Sequence, residues 1–150
     1  MENMFTGLGA NNMIARINNL AYGTTPQWGK MNVAQMLAHC CVTYEFVYDN
    51  KHPKPNAIAR FFIQLIAKKQ VVGDRPYPRN SRTAPAFLVP AIQDFEEQKK
   101  RLINYITRTQ QLGEQHFEGK ESLSFGNLSA KEWNTMFAKH LDHHLTQFGV

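Results

Sequence analysis

The sequence lacks the features by which membrane, secreted and disulfide-rich proteins are recognised. Its only two cysteines, Cys40 and Cys41, are adjacent and provide no disulfide framework. The longest strongly apolar run, 58–67, is interrupted by Arg60 and Gln64, which argues against a membrane span. The first residues have neither the basic start nor the apolar middle of a signal peptide. We therefore expect a cytoplasmic protein without a membrane partner.

Composition also disfavours disorder and nucleic-acid binding. Of the 150 residues, 43% are hydrophobic and 19% are charged, which predicts a single globular domain over residues 1–150 with its own core. The net charge is +5, but the basic residues are scattered and form no recognition helix or basic arm. Solvated helix faces explain them better than a nucleic-acid partner does.

Strand-like alternation is not sustained anywhere, whereas apolar residues at helical spacing recur along the chain. The predicted helices are Asn11–Leu20, 32–48, Ala57–Lys69, 94–113 and Ser129–Phe148. The predicted fold class is therefore all-α. The simplest architecture is an antiparallel four-helix bundle with a short extra helix and a long irregular covering loop.

Three helix starts carry the pattern of a capping box, in which a polar cap is followed three residues later by Glu or Gln. These pairs are Asn32 and Gln35, Asp94 and Glu97, and Ser129 and Glu132. Gly113 fits the position that ends the fourth helix. The third helix has a strongly apolar side with Phe61, Phe62, Leu65 and Ile66. We expect that side to lie in the core, the alternative being an exposed docking site.

The segment 70–90 is irregular and long for a compact domain, and such loops often form lids over sites. Tyr77, Arg79 and Arg82 on this loop could meet an anionic substrate. The alternative is a plain covering loop that packs Tyr77 and Phe87 over the helices.

The last helix carries the strongest functional signal. On a helical wheel with 100° per residue, one face of this helix carries both apolar and polar side chains. Its members are Trp133, Met136, Phe137, His140, His144, Gln147 and Phe148. Two imidazoles one turn apart can bind one ion, and His39 in the second helix is a third candidate ligand. Three imidazoles with open positions are typical of a catalytic metal site, whereas the alternative is three unrelated buried histidines.

Other parts of a catalytic motif are absent. Leu141 follows His140, so the glutamate of an H-E-x-x-H peptidase motif is missing. No general base is identifiable, and Tyr44 and Glu45 are merely nearby candidates. His143 and Gln147 could orient the metal-binding imidazoles without binding the ion themselves.

Four segments carry a family resemblance: WGKMNVAQMLAHC, SRTAPAFL, HFEGKESLSFG and EWNTMFAKHLDHHLTQFGV. Together they resemble an uncharacterised bacterial branch of the DinB/YfiT-like superfamily of metal-dependent enzymes. The resemblance implies a four-helix bundle with a divalent ion held by His39, His140 and His144. In most members of that superfamily an arginine and a glycine follow the paired histidines. Here Leu145 and Thr146 stand at those positions, whereas Gln147 is kept. Better-known relatives include transferases of low-molecular-weight thiols.

These observations favour a metal-dependent enzyme acting on a small molecule, either a hydrolase or a thiol transferase. Its substrate would be anionic or a low-molecular-weight thiol. The alternative is a metal- or ligand-binding helical bundle without turnover. Zinc or nickel suits three imidazoles best, with iron, copper or manganese as further candidates. A homodimer is left open.

Overall fold

The computed structural model describes residues 1–150 and is mostly helical. Four of its five helices are α1 (Gly7–Asn18), α2 (Val33–Tyr48), α4 (Phe95–Phe117) and α5 (Ala130–Gln147). The remaining helix, α3, consists of three consecutive segments, Ala57–Ile63, the π-helical Gln64–Lys68, and Lys69–Val72. A small antiparallel sheet pairs β1 (Glu121–Ser122) with β2 (Gly126–Asn127). No helix is long and apolar enough to cross a membrane.

One hydrophobic core is built by α1, α2, α4 and α5. Its fully buried side chains include Met13, Leu37, Leu102, Phe137 and Leu145, at least one from each of these helices. The sequence predicts this because each of the four helices carries apolar residues at helical spacing. The core fixes α2 beside α5, and those two helices carry the three candidate ligands.

The helix starts agree with the predicted caps only in part. The Ser129 hydroxyl accepts from the Glu132 amide, and the Glu132 carboxylate accepts from the Ser129 amide, so this capping box is complete. Asn32 accepts from the Gln35 amide at 2.8 Å, but the Gln35 side chain donates to the carbonyl of Val89 instead of closing the box. That bond ties the covering loop to the start of α2.

One predicted helix start is wrong, and one predicted helix end is a kink between two helical segments. The first helix begins at Gly7, because the Thr6 hydroxyl caps it by accepting from the amide of Gly9 at 3.2 Å. Gly113 adopts the expected positive φ of 72°, but the helix resumes beyond it and ends at Phe117. Phe117 is fully buried and stacks on Phe5 at 5.0 Å between ring centroids. Burial of this ring explains why the chain returns to helix after the glycine.

The apolar side of α3 is not in the core, so that expectation is wrong. Phe61, Phe62, Leu65 and Ile66 are 62%, 53%, 70% and 76% exposed, and no residue of the helix is buried. The other four helices already enclose the core. Only the last turn of α3 reaches it, through Val71 and Val72.

At 100° per residue, Lys139 falls on the side of α5 opposite His140 and His144, where an exposed side chain is expected. Lys139 is only 5% exposed. Its ammonium group donates to the carbonyls of Gln70, Gly73 and Arg75, at the end of α3 and the start of the covering loop. A second face of α5 is therefore covered, and this lysine fastens the loop that runs over the histidines.

Candidate metal centre

The structure brings His39 of α2 together with His140 and His144 of α5. One ring nitrogen from each histidine lies within 4.8 Å of the corresponding nitrogens of the other two. The Nε2 atoms of His39 and His140 are 3.1 Å apart. His39 and His144 are 5% and 7% exposed, whereas His140 is partly exposed. The cluster therefore has one side that solvent can reach.

The orientation of His39 is set by the covering loop. Its Nδ1 lies 3.0 Å from the carbonyl oxygen of Phe87. A carbonyl only accepts, so Nδ1 carries the proton and the lone pair of a neutral ring is on Nε2. That lone pair points toward the centre of the cluster. The Phe87 ring packs against the same imidazole, with the centroids 5.5 Å apart.

The orientation of His144 is set from within α5. Its Nδ1 lies 2.8 Å from the side-chain oxygen of Gln147. The amide nitrogen of Gln147 donates to the carbonyl of Trp28 at 2.7 Å, which fixes the direction of the amide. His144 therefore donates through Nδ1, and its Nε2 is free to bind.

The Thr43 hydroxyl holds His140 and can be either the donor or the acceptor of their hydrogen bond. Nδ1 of His140 lies 2.9 Å from the Thr43 hydroxyl, which can donate or accept. If Thr43 donates, Nε2 of His140 carries a proton and donates to Nε2 of His39. If Thr43 accepts, all three Nε2 atoms present lone pairs to the same point. The second state needs a cation between the rings, because unprotonated nitrogens at this distance repel.

Electrostatics favours neutral imidazoles. Burial lowers the pKa of His39, and it lowers that of His140 well below its usual value with help from the neighbouring histidines. Burial and the nearby His39 lower the pKa of His144 to about 3. No carboxylate belongs to the cluster. Neutral imidazole is the form that binds metal, so the three histidines could hold a metal ion.

Two aromatic side chains of the covering loop flank the accessible side. The Tyr77 ring is edge-on to His140, at 6.3 Å between centroids, and the Phe87 ring is edge-on at 5.9 Å. Burial raises the pKa of Tyr77 to about 12, so its phenol remains protonated at neutral pH. Aromatic ring edges therefore lie against His140 on this side.

The other predicted site residues take different positions. His143 packs against Trp28 and His144, at 5.9 and 5.0 Å between ring centroids, and makes no hydrogen bond to a ligand. Arg79 stacks on the Trp28 ring at 4.2 Å. Arg82 is exposed. Of the predicted supporting residues, Gln147 alone orients a ligand through a hydrogen bond.

Neither nearby base candidate faces the histidines. Tyr44 is buried between the rings of Tyr105 and Phe137, with a stacking distance of 4.9 Å to Phe137. Glu45 pairs with Arg101 and with His52, the latter at 2.8 Å. Glu45 is thus held by cations, whereas the Tyr44 hydroxyl is buried and has no hydrogen-bond partner. Neither side chain makes a hydrogen bond to the three histidines.

Three supporting groups were missed by sequence reasoning. Thr43 follows His39 by one helical turn, so its hydroxyl could have been placed beside the site. Phe87 and Trp28 act through backbone carbonyls, which leave no signal in residue type. Their contribution depends on where the loops cross the helices.

These features define a helical protein with a three-histidine cluster that could hold a metal ion. Residues 3–149 match the model of the family described as "Protein of unknown function (DUF1569)", and the chain belongs to that family. No curated protein and no solved structure matches the chain significantly.

Proposed function

We propose that His39, His140 and His144 bind one divalent metal ion through their Nε2 atoms. The observation that carries this proposal is that each ring is hydrogen-bonded on Nδ1, to Phe87, Thr43 and Gln147 respectively. Metal-binding histidines are usually held in this way, because the outer bond fixes the tautomer and the ring direction. A hydrogen bond between His39 and His140 would account for two of the rings, whereas a bound ion accounts for all three.

The superfamily resemblance, which is carried partly by the same histidines, agrees with this proposal. In a DinB/YfiT-like bundle, the ligands come from the second helix and from a histidine pair on the last helix. The present chain has the same placement on α2 and α5, with its core built from α1, α2, α4 and α5. We therefore propose a four-helix bundle of this type, to which α3 is added on the outside.

We further propose that the centre is catalytic. A bound divalent ion would act as a Lewis acid and lower the pKa of a water or thiol that reaches it. The histidines contribute no negative charge, so the ion would keep its full positive charge. Tyr77 and Phe87 limit access of bulk water from the side of His140. Such a site is suited to hydrolysis or to thiol transfer on a small molecule.

The charge near the entrance favours an anionic substrate, including a low-molecular-weight thiol that carries carboxylates. Arg79 is exposed and held over Trp28, close enough to His143 to contribute to lowering its pKa. Arg82 lies three residues further along the same loop and is also exposed. Both guanidinium groups are available to a carboxylate or phosphate. Zinc or nickel is the preferred ion, with iron or manganese as alternatives.

A second candidate function is metal or ligand binding without turnover. The observation that favours it is the lack of a carboxylate beside the histidines, since Glu45 pairs with Arg101 instead. In this case the ion would stabilise the packing of α2 on α5. The covering loop would then exclude substrates.

The two functions are separated by turnover of the metal-loaded protein. We would load the protein with zinc or nickel and assay ester hydrolysis and the transfer of a low-molecular-weight thiol to a chlorinated aromatic. The enzyme proposal predicts turnover that His144→Ala abolishes and that Arg79→Ala weakens mainly through a higher KM. Stoichiometric metal binding without turnover on either substrate class would favour the binding function. Failure to bind metal would contradict the enzyme proposal and the proposal of metal binding without turnover.

A further inference from the structure

A chain of hydrogen bonds runs through the histidine cluster, and the direction of its first bond is fixed. The carbonyl of Phe87 accepts from Nδ1 of His39 at 3.0 Å, because a carbonyl has no proton to give. No carboxylate belongs to the cluster to hold a second proton on the ring. With its proton on Nδ1, the neutral His39 ring therefore has its lone pair on Nε2.

That lone pair determines the direction of the next two bonds. Nε2 of His140 lies 3.1 Å from Nε2 of His39, and without an ion this separation needs a proton between the two nitrogens. The proton comes from His140, because His39 is the acceptor. The neutral His140 ring is then unprotonated on Nδ1, which lies 2.9 Å from the Thr43 hydroxyl. Thr43 is therefore the donor in the metal-free protein.

A metal ion between the rings requires the opposite arrangement at His140. Its Nε2 must present a lone pair to the ion, so the single proton of the neutral ring belongs on Nδ1. The hydrogen-bond partner of Nδ1 is the Thr43 hydroxyl, which then has to accept. The hydroxyl proton can turn to the carbonyl of His39 one helical turn earlier, the kind of bond that Thr109 makes to the carbonyl of Tyr105 at 2.8 Å.

We propose that Thr43 is a positioning residue of the metal centre, whose hydroxyl donates to His140 in the metal-free protein and accepts from it when an ion is bound. The reversal rests on the proposed metal site, whereas the first half of the inference concerns the metal-free protein alone. The proton moves between the two nitrogens of one ring, so the ring stays neutral throughout. A hydroxyl suits this position because it both donates and accepts, which a carbonyl or an ionised carboxylate does not.

The other two candidate ligands lack this freedom. The carbonyl of Phe87 and the side-chain oxygen of Gln147 only accept, so His39 and His144 keep their protons on Nδ1 with or without an ion. Thr43 is only 6% exposed, so water does not readily replace its hydroxyl. The hydrogen bond from α2 to α5 at Thr43 is thus the one place in the cluster where the direction of donation changes on metal binding.

The test begins with the metal-free protein at pH 7.5, in which nitrogen-15 NMR of the histidine side chains distinguishes the two tautomers. We expect His140 to carry its proton on Nε2, and His39 and His144 to carry theirs on Nδ1. Addition of stoichiometric zinc should move the His140 proton to Nδ1 and leave the other two protons in place. His140→Gln removes one set of signals and so assigns the ring.

Substitutions of Thr43 test the role of its hydroxyl. Thr43→Val keeps the shape but neither donates nor accepts, and it should weaken zinc binding by about 10-fold or more. Thr43→Ser should restore both the affinity and the change of tautomer. The matched control is Thr109→Val, because Thr109 is also buried and bonded, to Tyr105 and Tyr48, but lies outside the cluster. This variant should lose stability in urea without a change in zinc affinity.

Two results would overturn the inference. One is a His140 ring that carries its proton on Nδ1 in the metal-free protein or keeps it on Nε2 in the zinc complex. The other is a Thr43→Val variant that loses stability but binds zinc as tightly as the wild type, since the hydroxyl would then have a structural role only. Failure of the wild type to bind zinc would instead contradict the proposed metal centre, and the spectrum of the metal-free protein would still decide whether Thr43 is the donor.

Discussion

The side-chain oxygen of Gln147 accepts a hydrogen bond of 2.8 Å from Nδ1 of His144, three residues earlier on α5. Its amide nitrogen donates to the carbonyl of Trp28 at 2.7 Å. The glutamine is only 4% exposed, so water does not compete for either bond. This residue therefore links the loop before α2 to the direction of one candidate ligand.

Replacing Gln147 should weaken metal binding more than it weakens folding. Gln147→Leu leaves Nδ1 of His144 without an acceptor, and we expect metal affinity to fall by about 10- to 100-fold. Gln147→Glu keeps the acceptor for His144 but loses the donor to the Trp28 carbonyl, so it should retain more affinity than Gln147→Leu and less than the wild type. Competition with a chromogenic chelator gives the dissociation constants. Equal losses in both variants would mean that the acceptor does not orient the ring.

Gly29 lies against the same glutamine. A Cβ at this position would stand 2.5 Å from the Gln147 amide nitrogen, and the backbone has φ of +87°. We predict that Gly29→Ala costs about 1 kcal/mol or more in free energy of unfolding and also weakens metal binding. Gly113→Ala is the control, because its φ is +72° but no atom lies within 4 Å of the added Cβ. That variant should lose similar stability in denaturant titrations with no change in metal affinity.

Lys139 should hold the covering loop against α5. Lys139→Met removes donors to the carbonyls of Gln70, Gly73 and Arg75, and we expect a loss of about 2 kcal/mol in unfolding free energy. Hydrogen exchange in residues 73–90 should also become faster. Lys131→Met, on the exposed side of α5, should change neither. Unaltered exchange in the Lys139 variant would show that the loop is held by other contacts.

The metal-free protein should lose stability in acid. The pKa values of His39 and His140 are lowered in the folded protein, and that of His144 falls from 6.5 to about 3. Below about pH 6.5 the unfolded chain therefore binds more protons than the folded chain, so unfolding becomes easier as pH falls toward 3. The slope is at most about 1.4 kcal/mol per pH unit for each histidine.

Urea titrations in the presence of a chelator, between pH 7.5 and pH 5, measure this slope. His144→Gln should give a shallower dependence, because one buried histidine no longer titrates. Stability that is flat or rises over this range would contradict neutral, buried imidazoles in the cluster.

Much of the fold and the cluster was predictable because the signals are local. The capping box at Ser129 and Glu132 fixed the start of α5, and helical spacing placed His140 and His144 on one face. His39 could be added because α2 has an equally clear beginning at its cap, Asn32. Each inference required only residues within a few turns of one another.

The errors concern which faces of a helix are covered, which local spacing does not determine. The apolar side of α3 is amphipathic like that of a core helix, yet it faces outward because four other helices enclose the core. Helical spacing places Lys139 opposite the histidine face, but the end of α3 covers it. The hydrogen bond from His39 to the Phe87 carbonyl likewise depends on the path of a loop that has no periodic pattern.

The central claim is tested most directly by anomalous diffraction from crystals grown with zinc or nickel. The account predicts one ion within about 2.0–2.1 Å of the Nε2 atoms of His39, His140 and His144, with at least one further position open to solvent. His140→Ala crystals grown in the same way should lack the peak. The absence of an ion between the three rings in the wild type, or an ion bound through His143 instead, would contradict it.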